Sequence, residues 1–292
     1  MSAVVNRPSD FAARSKILLW WPVLLGLAAL FIPTYLRLAH DVWSDEAQAH
    51  GPFVLMVVAW LFAKKWRALA AIQGPAAPLL GMVVFAFGLL LYIIGRSQAL
   101  ILLEASAQIP ILIGVLLILF GWQALKLLWF PLLFLFFMVP LPGFVIDGIT
   151  GPLKSQVSVV VEWVLYGLGL PISRNGVIIS IGPYQLLVAD ACSGLNSMYS
   201  LSAMGLLFLY LMKYRSPLQN MLMVASILPI AFISNVIRVM LLVLVTYFFG
   251  DDAGHAVHEY AGIFLFVAAL LLLFAFDALL RWFFKRADKA AA

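Results

Sequence analysis

The chain is poor in charge. Of its 292 residues, 11% are Asp, Glu, Lys or Arg, where soluble domains carry about 25%. That shortage excludes a water-soluble globular enzyme, a disordered chain and a nucleic-acid reader with a basic face. Cysteine is almost missing. The single thiol, Cys192, permits neither an internal disulfide nor a cysteine-rich metal site. Histidine is scarce as well, at four residues: His40, His50, His255 and His258. Low-complexity linkers and repeats of useful period are lacking, so a single polytopic membrane domain over 1–292 is expected.

What is abundant is apolar. Hydrophobic residues make up 65% of the chain and aromatics 14%, the composition of a protein dissolved in lipid. Eight stretches read as membrane crossings, roughly 17–36, 53–63, 78–95, 105–121, 125–139, 195–212, 218–249 and 261–284. The expected fold class is therefore an all-α integral membrane protein of about eight transmembrane helices. The first run contains Trp20, Trp21 and Pro22 and no small-residue cleavage site. It reads as a retained span, not a removed signal peptide. The seventh is too long for a straight crossing and holds Pro229 and Asn235. A kink, or a second half lying along a wall of the protein, is predicted there.

Charge placement sets the orientation. With the N-terminus inside and eight alternating spans, 13 of the 18 basic residues fall on the cytoplasmic side. The outer side keeps Arg37, Arg96, Lys154, Arg174 and Arg238, together with 10 of the 13 acids. This asymmetry follows the positive-inside rule and predicts both termini in the cytoplasm. Residues 150–170 mix Lys154, Gln156 and Glu162 with Val157, Val161 and Leu165. The pattern suits an amphipathic helix at the outer interface, not a ninth crossing. Val177–Ile181 and Tyr184–Val188 around Gly182-Pro183 then read as a small β-hairpin. Residues of about 144–191 thus form an outer-face insertion of helix and hairpin.

Three polar features gather on that outer face. In the first, a strand ends and a helix begins around Asp190-Ala191-Cys192-Ser193-Gly194. A thiol at a helix N-terminus is stabilised as thiolate by unpaired N–H groups and the helix dipole. Asp190 opposes this if ionised, and a lone cysteine also serves as a small core filler. The second is Ser234-Asn235-Val236-Ile237-Arg238 inside an otherwise apolar run. An arginine there must face a polar cavity or a partner; a buried ion pair or a carbonyl cap is the structural alternative. The third is the stretch from Asp251 through His255 and His258 to Gly262. One of its histidines suits a general acid or base; an interfacial helix start suits both. Histidines three apart also share a helix face, so a metal site is a minor alternative, with only His40 and His50, in a different outer loop, as further histidine ligands. Together the three features describe a thiol peptidase: Cys192 as nucleophile, a histidine as proton carrier and Arg238 as stabiliser of thiolate or oxyanion.

At these residues the chain resembles the exosortase/archaeosortase family of membrane cysteine transpeptidases. The resemblance rests on Ala191-Cys192-Ser193-Gly194-Leu195, on Asn235-Val236-Ile237-Arg238 as an N-x-x-R motif and on His258-Glu259-Tyr260-Ala261-Gly262 as an H-x-x-x-G motif. Ala49-His50-Gly51-Pro52-Phe53 resembles the family's N-terminal SHG region, with Ala49 where serine is usual. Val139-Pro140-Leu141-Pro142 and Gly151-Pro152-Leu153-Lys154 resemble its central region. The B type is the nearest likeness. The resemblance implies Cys192 as nucleophile, Arg238 as essential arginine and His258, not His255, as the histidine. It implies no cofactor and no metal. It also implies exported protein substrates with a C-terminal Pro-Glu-Pro motif, a transmembrane helix and a basic tail. These would be cleaved at the periplasmic face of the bacterial inner membrane through a Cys thioester, with transfer to an unidentified acceptor. Since the chain stops soon after Lys289, no appended soluble domain is expected. The alternative from another class is a transporter or exopolysaccharide-assembly component with the cluster lining a pathway. That reading needs polar residues at mid-membrane in several spans, and the first five contain almost none.

Overall fold

The computed structural model describes residues 20–44, 48, 50–72, 74–187, 195–212, 214 and 216–291. They fall into two compact units that divide between Leu141 and Pro142.

Among the described residues the elements of the first unit are all helices: α1 (Trp21–Asp41), α2 (Gly51–Ala70), α3 (Pro78–Ser97), α4 (Ile101–Ser106), α5 (Gln108–Phe120) and α6 (Trp122–Phe134), the last prolonged by a 3-10 turn, Leu135–Met138. Prolines open α1, α2 and α3 within their first two positions, where a missing N–H costs nothing. Against α3 the chain folds back as α4 and α5. Gly81, Gly88 and Gly95 recur every seven residues and make that contact. A Cβ added at Gly95 would lie 2.4 Å from the backbone nitrogen of Glu104, and one at Gly88 would lie 2.7 Å from Ile111 Cγ1. Small residues let two membrane helices approach to backbone distance, where dispersion and weak hydrogen bonds replace the absent hydrophobic drive.

One end of this unit is polar. The Glu104 carboxylate is fully buried and accepts hydrogen bonds from Thr34 Oγ1 (2.8 Å), Arg96 (2.8 Å) and Arg37. Tyr35 donates to Gln108 at 2.9 Å beside it. A buried carboxylate survives because three donors replace its water.

The second unit begins with α7 (Gly143–Gly167), a helix seven residues longer at its start than the amphipathic stretch read from the sequence. Val157, Val161 and Leu165 line one side of it and are buried with Ile172, Ile179 and Ile181 of the sheet that follows. Trp163 and Tyr166 stay exposed on the other side. The sheet has three strands in order β1 (Ile172–Asn175), β2 (Ile178–Ile181) and β3 (Tyr184–Leu187), all antiparallel. The expected hairpin is β2–β3; β1 is an addition. Its sequence, Ile-Ser-Arg-Asn, has no alternation to announce a strand. Ile172 enters the core, and Arg174 pairs with Glu162 of α7 at 2.9 Å.

Among the described residues three helices complete the unit: α8 (Leu195–Met212), α9 (Pro217–Phe249) and α10 (Asp251–Ala291). Helix α9 runs through Pro229 without interruption. Helix α10 starts ten residues before the span read from the sequence, with Asp251 and Asp252 in its first turn, where the helix dipole favours acids. Gly250, at φ +90°, reverses the chain between α9 and α10. At the other end, Tyr214 donates to Asp277, a buried acid of α10, and Arg281 pairs with the same carboxylate at 2.9 Å.

Among the described residues, five helices are long and apolar enough to cross a bilayer: α1, α3, Ile101–Phe120, α9 and Phe264–Phe284 within α10. Trp122–Met138 and Tyr199–Met212 are shorter apolar helices. The second expected crossing lies in α2, whose Lys64, Lys65 and Arg67 keep it out of that set, and α7 is out of it too. The protein is a multi-pass, mainly helical membrane protein with a small sheet.

Candidate functional site

Strand β3 leads into 188–194, which carries Asp190, Cys192 and Gly194 and lies outside the described residues. The two other motifs lie on α9 and α10 of the same unit.

Arg238 sits on the buried stripe of α9, at 7% exposure. The stripe runs Ile227, Ile230, Ala231, Ser234, Asn235, Arg238, Val239, Leu242 and Thr246. Its three- and four-residue steps keep one side of the helix against its neighbours. Asn235 is fully buried one turn before Arg238. The N-x-x-R spacing is thus the spacing that puts both polar groups on one face. Ser234 turns its hydroxyl back to the carbonyl of Ile230 at 2.8 Å, as such residues do inside apolar helices.

The level of His258 follows from the register of the helix pair. A Cβ at Gly254 would fall 2.3 Å from Thr246 Oγ1. Gly254 and Thr246 therefore touch across the antiparallel pair, and glycine is required at that crossing. His258 lies four residues beyond Gly254 and seven before the buried Leu265. Arg238 lies eight residues beyond Thr246 on α9. At 1.5 Å per residue, Arg238 is about 12 Å and His258 about 6 Å below the contact, one helical turn apart in depth. His255 is elsewhere. It is exposed and lies 3.7 Å from Asp251.

The sheet leans on the same end of the helix pair. A Cβ at Gly182 would sit 3.4 Å from the Tyr247 ring, and one at Gly250 would sit 3.7 Å from the Tyr184 hydroxyl. The β2–β3 turn thus abuts the α9–α10 junction.

His50 belongs to a joint in the first unit. Its Nε2 is 3.1 Å from the carbonyl oxygen of Phe137. Burial holds its pKa below the ordinary value of 6.5, and the hydrogen bond to Phe137 opposes that shift in part. Gly51 is required because a Cβ there would lie 2.0 Å from Trp43 Nε1. The His50-Gly51 pair thus ties the start of α2 to the end of α6 and to the indole of Trp43.

Sequence reasoning passed over the Glu104 cluster and the Tyr214–Asp277–Arg281 group. Both announced themselves as lone acids in apolar surroundings, Leu103-Glu104-Ala105 and Phe276-Asp277-Ala278.

The sequence model of a family described as transmembrane exosortase matches residues 42–275. No curated protein and no solved structure matches the chain.

Proposed function

The chain belongs to the transmembrane exosortase family, and from that premise we propose that it is a membrane-embedded cysteine peptidase and transpeptidase. Its substrates are exported proteins that end in a Pro-Glu-Pro motif, a transmembrane helix and a basic tail. The site lies at the periplasmic face of the bacterial inner membrane. The chain crosses eight times with both termini in the cytoplasm, and residues of about 144–191 form an outer-face insertion of the single membrane domain.

The observation that carries this reading is the placing of Arg238 and His258 one turn apart in depth on neighbouring helices, at the end against which the sheet leans. In the proposed reaction neutral His258 takes the proton of the Cys192 thiol. The thiolate attacks the scissile carbonyl, and Arg238 stabilises the negative charge on sulfur and then on oxygen. The imidazolium returns the proton to the leaving amine, and a thioester remains on Cys192. An acceptor nucleophile, with His258 again as base, breaks the thioester and frees the thiol. Arginine suits this place because its planar fork donates from several N–H groups and stays charged in apolar surroundings.

The test is processing of a co-expressed reporter that carries the motif, a span and a basic tail. Cys192→Ala and His258→Ala are expected to leave the reporter intact, Arg238→Lys to slow it by at least about ten-fold, and His255→Ala to process it. Full processing by Cys192→Ala would refute the thiol mechanism.

A further inference from the structure

We propose that the open edge of β3 is the strand to which the substrate's extended peptide adds, in parallel, just ahead of the Cys192 segment. This rests on the peptidase reading above and says how its substrate is held.

The hydrogen-bonding sense of each residue follows from the turns. The β1–β2 and β2–β3 connections have two residues each, Gly176-Val177 and Gly182-Pro183. In such hairpins the flanking pair exchanges both hydrogen bonds, and the bonded pairs alternate from there. Asn175 and Ile178 form one flanking pair, and Ile181 and Tyr184 the other. The Gly182 N–H donates to the Pro171 carbonyl at 3.4 Å, which continues the β1–β2 alternation. In β3, Tyr184 and Leu186 therefore bond back to β2. Gln185 and Leu187 turn their N–H and C=O groups away from the sheet. Both are exposed, and among the described residues those backbone groups meet no partner. The opposite edge of the sheet is taken: Ile172 donates to the Leu170 carbonyl at 2.8 Å, and α7 reaches along β1 through Glu162 and Ser158.

An open edge is a template for a further strand. In parallel pairing one residue of the incoming strand donates its N–H to one carbonyl and accepts from the N–H two residues further on. A single residue can therefore bridge the Gln185 carbonyl and the Leu187 N–H. A Pro-x-Pro segment has the matching pattern. Proline lacks an N–H and is tolerated at an edge only with its nitrogen turned outward. Alternate residues of an extended chain face opposite sides. Both prolines then look away from β3 and the central residue alone looks toward it. The edge offers one donor and one acceptor for that residue, and the residue supplies their complements.

The direction agrees as well. In chain order β3 is followed by the helix α8. A substrate whose membrane span follows its motif runs toward the bilayer in the same sense. In register with Leu186, the central side chain falls on the face of the sheet shared by Tyr184 and Leu186, both packed in the core with Tyr247.

The test uses the purified full chain in vesicles and a synthetic substrate with the motif, a span and a basic tail. A substrate N-methylated at the central residue loses one N–H and keeps its side chain. Its kcat/KM is expected to fall about ten-fold or more. Leu187→Pro removes the edge N–H but none of the bonds to β2 and is expected to cause a comparable fall, with thermal melting as a check on folding. Cleavage of the N-methylated substrate at the parent rate overturns edge addition, whether or not Leu187→Pro folds, and leaves the peptidase reading standing. Failure of the wild-type chain to cleave the parent substrate overturns the peptidase reading, and this inference with it.

Discussion

Glu104 is the most demanding test of how the first unit is held together. Its carboxylate is fully buried and answers to Arg37, Arg96 and Thr34. Glu104→Ala removes the acceptor and leaves two guanidinium groups facing each other. Removing one partner of a buried ion pair costs about 3–5 kcal/mol. The arginine side chains are 30% and 43% exposed, so they rehydrate in part and the lower end, about 3 kcal/mol, is expected. For a chain of this size that corresponds to roughly 6–12 °C in melting temperature. Glu104→Gln keeps an acceptor for Thr34 and one arginine and is expected to lose about half as much. Tryptophan fluorescence during heating in detergent reads both. A double-mutant cycle with Arg37→Met should give a larger coupling than one with Arg96→Met, since Arg37 is the less exposed of the two. A Glu104→Ala protein that melts within about 1 °C of wild type would refute the idea that this carboxylate organises the unit.

Three further outcomes follow. Gly95→Ala should destabilise by about 1–3 kcal/mol because its Cβ would meet backbone, while Gly26→Ala, whose Cβ meets nothing within 4 Å, should stay within about 0.5 kcal/mol; denaturation of the two variants side by side checks this. The pKa of His50 is lowered, so the fold prefers its neutral ring. The stability this contributes is complete above about 6.5 and is lost as pH falls through the lowered folded value. Melting curves from pH 7.5 down to 5 should show that loss in wild type and a flatter profile in His50→Gln. Tyr214 donates to the buried Asp277, and burial together with that carboxylate raises its pKa. Tyr214→Phe should therefore cost about 1.5–3 kcal/mol in the second unit, measured by thermal melting, whereas a loss below about 0.5 kcal/mol would mean that Arg281 alone satisfies Asp277.

Much of the helical layout is legible in the sequence because apolar runs in a membrane protein are long and their ends are polar. Each of the eight stretches lies largely within helix in the structure. The hairpin is legible because β-branched residues before Gly182-Pro183 and the run Tyr184–Leu187 after it both suit strands. Strand β1 was not, since Ser173, Arg174 and Asn175 carry no strand signal and their place is set by α7 and β2. Helix α10 begins before the apolar span at 261–284 for a local reason. Asp251, Asp252 and Gly254 look like loop residues, yet the acids favour a helix start and Gly254 is needed for the contact with Thr246. The seven-residue glycine repeat of α3 was present in the sequence but reads as helix-weakening until the opposing backbone is seen. The Asn235–Arg238 spacing was legible as one helical turn. The depth of His258 relative to Arg238 was not, because it depends on the register between two helices. The role of His50 was hidden in another way, since its partner Phe137 lies 87 residues away along the chain.

The length of α10 has a consequence for the medium in which the protein works. Forty-one residues make a rod of about 60 Å, roughly twice the hydrocarbon thickness of a bilayer. Its apolar window is Phe264–Phe284, so His258 stands six residues, or about 9 Å, beyond the edge of that window. On the proposed topology this position of the helix falls at headgroup level. A bilayer with longer acyl chains would bring hydrocarbon up to this level. Under the proposed mechanism, in which His258 carries the proton, turnover in reconstituted vesicles should peak at one membrane thickness and decline as the lipids lengthen.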